Sequence, residues 1–223
     1  MVVSSANAGV PSGTGSGRIV GLVFLPSLVV AAFGLGLLAL FRSQAANVPE
    51  AFQQWHRAYY FFLPSALLLV FPFLLRGLRR RNIVLRQQWV TSNTLLGDLA
   101  VAALAAVCGL FAAVVYVRVT HFALPHPTHL PAPLWRIAVL VVLAPPIKEV
   151  AFRLYPLLLL EPRLGALPAY FLGTAAFALV DWQNLGASFI AGSIWYLFYR
   201  WRRRLIVPTV AHALANLIAI GLG

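Results

Sequence analysis

The amino-acid sequence predicts an all-α protein, a polytopic transmembrane bundle of about seven helices. Of its 223 residues, 61% are hydrophobic and only 10% are charged, a balance far from that of soluble domains. The apolar residues fall in long runs, several of which approach the ~20 residues that a helix needs to cross a hydrocarbon core. Short arginine clusters separate these runs, as in the cytoplasmic loops of membrane proteins.

The apolar runs predict seven membrane helices that follow an N-terminal tail. Residues 1–18 are rich in Gly, Ser and Ala and lack the charged region of a secretory signal, which predicts a flexible tail before a retained first helix. Residues 19–223 are predicted to form a single transmembrane domain. The predicted helices are 19–41, 58–76, 94–117, 136–160, 166–182, 185–200 and 205–221.

The arginine distribution predicts how the bundle is oriented. The largest clusters lie at 76–86, between the second and third helices, and at 200–204, between the sixth and seventh. Eleven arginines fall on this side of the bundle and four on the opposite side. By the positive-inside rule the N-terminus is predicted to be cytoplasmic, in a plasma (bacterial inner) membrane. Because the net charge of +12 resides in these loops, no nucleic-acid partner is predicted.

The longest predicted outer loop contains three histidines, His121, His126 and His129. Their spacing fits no rigid set of metal ligands, and the prolines between them indicate an extended surface loop. We therefore predict no metal site and no cofactor there. The single cysteine, Cys108, lies within an apolar run and can form no intrachain disulfide.

Polar residues inside the apolar runs are the candidates for a site, because charge at bilayer depth is costly and requires a partner. Four ionisable residues and one neutral polar pair lie well inside: Lys148, Glu149, Arg153, Asp181, His212 and Asn216. Asp98 lies nearer the cytoplasmic start of the third helix, where we expect it to reach solvent.

Spacing predicts two ion pairs among these residues. Glu149 and Arg153 are four apart and share a helix face. Lys148 points about 100° away from Glu149, and Asp181 lies at a similar depth across the hairpin around "EPRLG". We therefore predict an interhelical salt bridge between Lys148 and Asp181. Such pairs can also serve only to fix helix register, without any ligand or reaction.

Three motifs between residues 136 and 220 carry a family resemblance. They read "APPIKEVAFR", "FALVD" and "HALANL" along the chain. In this order they resemble the CPBP or Abi family of intramembrane proteases, which includes the CAAX prenyl endopeptidases and bacteriocin-processing proteins. Members carry Glu-Glu-x-x-x-Arg after Ala-Pro, then Phe-x-x-x-His, then His-x-x-x-Asn. The resemblance implies a CAAX-protease-like core over about 136–220.

The resemblance also assigns roles, and this chain departs from two of them. In the family the first glutamate and two histidines surround a catalytic water, and the asparagine supports the oxyanion. Lys148 occupies the first glutamate position and Asp181 the first histidine position. An ammonium paired with a carboxylate is a poor proton acceptor and repels a metal ion, so neither general-base nor zinc chemistry is predicted. Glu149, Arg153, His212 and Asn216 keep the family identities.

Two functions follow from this comparison. The first is a catalytically inactive pseudoprotease that serves as a binding, scaffold or accessory subunit of a membrane complex, with the lipid bilayer and other membrane proteins as partners. The alternative is an active endopeptidase of CAAX-protease type with rearranged roles, Glu149 acting as base beside His212. Transport or pigment binding through Lys148, the only lysine, has no further motif to support it.

Overall fold

The computed structural model describes residues 16–44, 71–72, 74–76, 78–79, 89, 94–120, 134–181 and 184–222. Within these ranges the regular structure is helical, which confirms the predicted fold class. The elements in chain order are α1 (Ser16–Gln44), α2 (Leu95–Thr120), α3 (Leu134–Ile137), π1 (Ala138–Leu143), α4 (Ala144–Glu149), π2 (Val150–Leu154), α5 (Tyr155–Leu164), α6 (Ala166–Val180), α7 (Leu185–Arg202) and α8 (Ile206–Leu222).

The five elements from α3 to α5 follow one another directly, and we call this run the motif helix. It corresponds to the fourth predicted membrane helix. The first, third, fifth, sixth and seventh predictions correspond to α1, α2, α6, α7 and α8, with ends that differ by a few residues. Most of the second predicted helix and the His121–His129 loop lie outside the described residues. So do residues 1–15 of the predicted tail, and α1 already begins at Ser16.

Lipid exposure is clearest for α2. Among the described helices, α2 is long and apolar enough to cross a membrane by itself, with a mean hydropathy of 2.5. Only 22% of its most apolar window is buried, so much of its surface is available to lipid. Val23–Gly36, α6 and α8 are shorter apolar helices. An 18-residue apolar window that is mostly unburied is expected for a helix that faces hydrocarbon.

Prolines explain why the motif helix is irregular. Pro145 and Pro146 have no backbone N–H, so the carbonyls before them lose their usual helical donors. The turn widens ahead of them, and the Ala144 N–H donates to the Val139 carbonyl five residues back. A second widened turn, π2, precedes Pro156 in α5. The two widened turns set the rotation of the polar residues between them.

Close helix contacts bring α6 against the motif helix and α7 against α6. The α5–α6 turn requires Gly165, whose φ of 85° is accessible to glycine at little cost. A Cβ on Gly173 would lie 3.0 Å from the Phe152 carbonyl, and one on Gly192 would lie 2.9 Å from the Phe177 ring. The small residues of "GTAA" (173–176) in α6 and "AGS" (191–193) in α7 therefore allow close packing within the chain.

Ion pairs join two turns and the start of α2 at one end of the bundle. Asp98, at the start of α2, is fully buried and accepts hydrogen bonds from Arg202 at 2.7 and 2.9 Å. The expectation that Asp98 reaches solvent was wrong, because Arg202 at the end of α7 covers it. Glu161 in α5 lies 3.4 Å from Arg200 and 3.8 Å from Arg203. The α5–α6 and α7–α8 turns therefore lie at the same end as the start of α2.

Candidate functional site

Glu149 is the centre of a buried polar cluster and has no exposed surface. Its Oε2 forms an ion pair with Arg153 one turn along the motif helix, as the i, i+4 spacing indicates. Its Oε1 lies 2.9 Å from His212 Nδ1 on α8. Both oxygens of this carboxylate are therefore engaged by side chains of the protein, one of them on a different helix.

Arg153 connects the cluster to α7 and to two aromatic rings. Its Nη2 donates a 3.1 Å hydrogen bond to the Gly192 carbonyl. The guanidinium carbon lies 4.7 Å from the centroid of the Phe177 ring and 5.8 Å from that of Trp195. Arginine binds favourably over aromatic faces, so these rings help to compensate a charge that is 98% enclosed. Its Nε has no hydrogen-bond partner among the residues that the structure describes.

His212 is held between Glu149 and two aromatic side chains. Trp195 stacks on the imidazole with ring centroids 5.0 Å apart, and Phe177 meets it edge to face at 5.5 Å. The Trp195 indole in turn donates to the Ala105 carbonyl at 3.2 Å, which ties the stack to α2. A carboxylate at Glu149 accepts this hydrogen bond from Nδ1–H, and Nε2 lies outside it. The imidazole is thus held in one orientation by Glu149, Trp195 and Phe177.

The depth of the residues along their helices does not predict the contact between Glu149 and His212. At a uniform rise per residue, His212 would lie shallower than residues 148 and 149 on the motif helix. The widened turns π1 and π2 change both the advance and the rotation of that helix. The structure accordingly brings Glu149, Arg153 and His212 into one cluster.

Lys148 lies beside this cluster but outside its hydrogen bonds. It is 5% exposed, and its Nζ is 5.5 Å from the centroid of the Phe177 ring. Asp181, at the end of α6, accepts a 3.0 Å hydrogen bond from Ser188 Oγ across the α6–α7 turn. Among the described residues, no ion pair joins Lys148 to Asp181. Their salt bridge stays a prediction that these contacts do not support.

Asn216 supplies a hydrogen-bond donor to the irregular part of the motif helix. Its Nδ2 donates a 2.7 Å hydrogen bond to the carbonyl of Leu140 in π1. That carbonyl has no donor five residues ahead, where Pro145 stands, and the Ala144 N–H is already given to Val139. The family resemblance assigns the Asn216 amide to stabilising the oxyanion. In this structure the amide N–H instead donates to a backbone carbonyl.

The arrangement can orient an imidazole and can hold one positive charge beside it. Glu149, Arg153 and His212 form one connected network, while Lys148 adds an ammonium at its edge. Within the part of the chain that the structure describes, no three His, Cys, Asp or Glu side chains group as metal ligands. The chemistry open to these residues is proton transfer at His212 Nε2 and binding of an anion at Lys148.

Two residues of the site, Phe177 and Trp195, were not predicted as site residues from the sequence. Phe177 contacts Lys148, Arg153 and His212. Its place in the "FALVD" motif was the available signal, although nothing indicated its contacts. Trp195 stacks on His212, and its place inside an apolar run gave no signal of that contact.

Comparison with known proteins agrees with the motifs. No curated protein and no solved structure matches the chain. Residues 130–218 match the family model described as Type II CAAX prenyl endopeptidase Rce1-like. This stretch contains the motif helix from α3, with Lys148, Glu149 and Arg153, as well as His212 on α8. Over residues 130–218 the resemblance to the CPBP family of CAAX-protease-like membrane proteins is therefore confirmed.

Proposed function

We propose that this chain is a pseudoprotease, a CAAX-protease-like membrane protein that has lost peptide hydrolysis and serves as a binding or accessory subunit of a membrane complex. The observation that carries the proposal is the state of Glu149. The resemblance makes it the remaining carboxylate of the glutamate pair, and both of its oxygens are engaged by Arg153 and His212. A carboxylate held by two partners in a site without exposure is poorly placed to activate water.

Two further positions support the loss of hydrolysis. Lys148 stands where the family has its first glutamate and brings a positive charge, which cannot accept a proton. Asn216 donates to the Leu140 carbonyl, so the residue expected to stabilise an oxyanion is already hydrogen-bonded to the backbone of the motif helix. In each of the three motifs the reactive group that the resemblance implies is thus changed or engaged in contacts within the chain.

A binding role fits the outer surface of the described helices. Large apolar side chains are exposed along α2, among them Leu104, Val107 and Phe111 at 51–70% exposure. Other membrane proteins and lipid are the partners suited to such a surface. We further propose that the chain resides in a plasma (bacterial inner) membrane with its N-terminus in the cytoplasm, as the arginine clusters favour.

The proposal is tested by restoring the family residues. Lys148→Glu with Asp181→His in one chain recreates both reactive positions. Purified parent and double variant are incubated with a farnesylated C-terminal peptide and with a transmembrane peptide, and products are identified by mass spectrometry. We expect cleavage by the double variant and none by the parent. The triple variant that also carries His212→Ala is the matched negative control. Cleavage by the parent at the rate of the double variant would contradict the proposal that the chain is a pseudoprotease.

One observation favours the alternative, an active endopeptidase with rearranged roles. The 2.9 Å contact with Glu149 orients His212 so that Nε2 is free of the Glu149 hydrogen bond and can accept a proton. A carboxylate that orients an imidazole is a recurring arrangement in hydrolases. This reading predicts that the parent cleaves one of the two peptides and that His212→Ala abolishes cleavage, whereas Lys148→Met leaves the rate within a few-fold of the parent.

A further inference from the structure

One end of the described bundle carries a surplus of positive charge. The start of α2 and the α5–α6 and α7–α8 turns meet there, joined by the ion pairs of Asp98 and Glu161. Among the described residues of these segments, five arginines stand against those two acidic residues: Arg163, Arg200, Arg202, Arg203 and Arg204. Two carboxylates cannot neutralise five guanidinium groups, so this end of the bundle is suited to an anionic partner.

Glu161 is shared between two arginines that keep much of their exposure. Its Oε1 lies 3.4 Å from Arg200 Nη2, and its Oε2 lies 3.8 Å from Arg203 Nη1. Both distances exceed that of an ordinary N–H···O hydrogen bond, so the two contacts are weak. The side chains of Arg200 and Arg203 are 37% and 53% exposed. Two guanidinium groups beside one carboxylate thus present a net positive charge on the surface.

The fold holds these two arginines in place. Arg202, between them in the chain, donates to the buried Asp98 at 2.7 and 2.9 Å and fixes the end of α7 against α2. Arg203 follows α7 in the left-handed region, with a φ of 54°, and its N–H donates to the Tyr199 carbonyl. Glycine is the usual residue at such a position, because a Cβ is unfavourable there. A 3.8 Å contact with Glu161 does not account for an arginine at this position, which favours an external partner.

The two arginines lie at the level of lipid headgroups. α2 has 26 residues and extends about 39 Å, which exceeds the ~30 Å thickness of a hydrocarbon core. With α2 centred in the core, its first turn, which contains Asp98, lies among the headgroups, and the ion pair with Arg202 places the end of α7 at the same level. Trp201 is 66% exposed, as expected for an aromatic side chain at the membrane surface.

From these observations we infer that Arg200 and Arg203 bind the phosphate of an anionic phospholipid. Guanidinium groups form charge-assisted hydrogen bonds with phosphate oxygens, and two of them side by side can hold one headgroup. Leu197, one turn before Trp201 on the same face of α7, is 57% exposed, so the acyl chains have an apolar surface next to the arginines. The inference goes beyond the proposed function and holds whether or not the chain cleaves peptides.

The experiment compares two phospholipids that have the same acyl chains. The full chain in neutral detergent is titrated with palmitoyl-oleoyl phosphatidylglycerol and with palmitoyl-oleoyl phosphatidylcholine, and bound lipid is measured by native mass spectrometry. We expect tighter binding of phosphatidylglycerol, by about fivefold for each arginine that contacts it, and a preference that weakens as ammonium acetate is raised. Glycerol phosphate and a polyglutamate peptide test for a soluble phosphate and for an acidic protein, and we expect both to bind more weakly.

Variants assign the preference to the two arginines. Arg200→Gln and Arg203→Gln should each lower the preference for phosphatidylglycerol about fivefold, and the double variant should lower it more than tenfold. Glu161→Gln removes the negative charge between the arginines and should raise the preference. Arg118→Gln removes one exposed positive charge at the opposite end of α2 and should leave the preference unchanged. Thermal melting of each variant verifies that it is folded.

Several results would overturn the inference. One is an unchanged preference in the chain with Arg200→Gln and Arg203→Gln, and if that chain does not fold, the two single variants decide by the same criterion. Another is an equal loss in Arg118→Gln, which would indicate a general effect of charge. A Glu161→Gln chain that prefers phosphatidylglycerol no more strongly than the parent would also contradict it. Tighter binding of glycerol phosphate or polyglutamate than of phosphatidylglycerol would assign the surface to a soluble phosphate or to an acidic protein.

Discussion

At the residue scale the site depends on how one buried carboxylate is shared. Glu149 neutralises Arg153 on its own helix and holds His212 on another, and all three are almost completely enclosed. Glu161 also contacts two positive partners, but 28% of its side chain is exposed and its nearest contacts are 3.4 and 3.8 Å. The two glutamates therefore form a matched comparison of buried and exposed ion pairs in one protein.

Replacing Glu149 by Gln is expected to destabilise the fold strongly. The amide leaves Arg153 without its counter-charge in a dry environment, and breaking a buried pair in this way costs about 3–5 kcal/mol. Glu161→Gln should cost less than about 1 kcal/mol, because solvent screens exposed pairs. The measurement is the unfolding free energy of both variants in the same detergent. Equal losses would show that the cluster around Glu149 is not the buried centre described above.

The sequence predicted part of this cluster for a simple reason. Glu149 and Arg153 are four apart on one helix, and their contact follows from helical geometry alone. The Glu149–His212 contact depends on the rotation introduced by π1 and π2, which apolar periodicity does not reveal. The prediction of a Lys148–Asp181 salt bridge relied on equal depth, and depth alone does not fix the direction in which side chains point.

At the element scale the motif helix is shaped by Pro145 and Pro146. Their missing N–H groups leave carbonyls in π1 without intrahelical donors, and Asn216 supplies one replacement from α8. This bond links the irregular turn to the helix that carries His212. The element that positions the site is therefore held in register by a side chain from its neighbour.

A double-mutant cycle tests this link. Asn216→Leu should cost about 1–3 kcal/mol, the penalty for an unsatisfied buried carbonyl. In a Pro145→Ala background the new N–H at residue 145 can serve the Leu140 carbonyl, so the same Asn216→Leu change should cost clearly less. Unfolding free energies of the four proteins give the coupling. The absence of coupling would mean that Asn216 stabilises α8 by another route.

At the scale of the whole molecule, the α5–α6 turn, the α7–α8 turn and the start of α2 lie at one end of the bundle. Asp98 with Arg202, and Glu161 with Arg200 and Arg203, connect the start of α2 to the turns on either side of α6 and α7. Three arginines of the cluster at 200–204, Arg200, Arg202 and Arg203, thus lie together at this end of the described bundle. Six of the seven predicted helices have counterparts among the described residues, and they were predictable because each apolar run must satisfy its own backbone in lipid.

The orientation itself is open to a labelling experiment. In a Cys108→Ser background, Arg203→Cys places a thiol on the arginine-rich end, where the Arg203 side chain is 53% exposed, and Arg118→Cys places one at the opposite end of α2. A membrane-impermeant maleimide should label Arg118→Cys in intact cells and Arg203→Cys only after permeabilisation. The reverse pattern would place the N-terminus outside.

The length of α6 has a consequence for the surrounding lipid. With 15 residues it extends only about 22 Å, against the ~30 Å thickness of a hydrocarbon core, and its Leu167 and Phe171 face outward. Acyl chains next to α6 must compress to match it, since the alternative is to expose the polar Asp181 turn to hydrocarbon. The protein is thus expected to thin the bilayer on one flank and to be best accommodated by membranes of short-chain lipids.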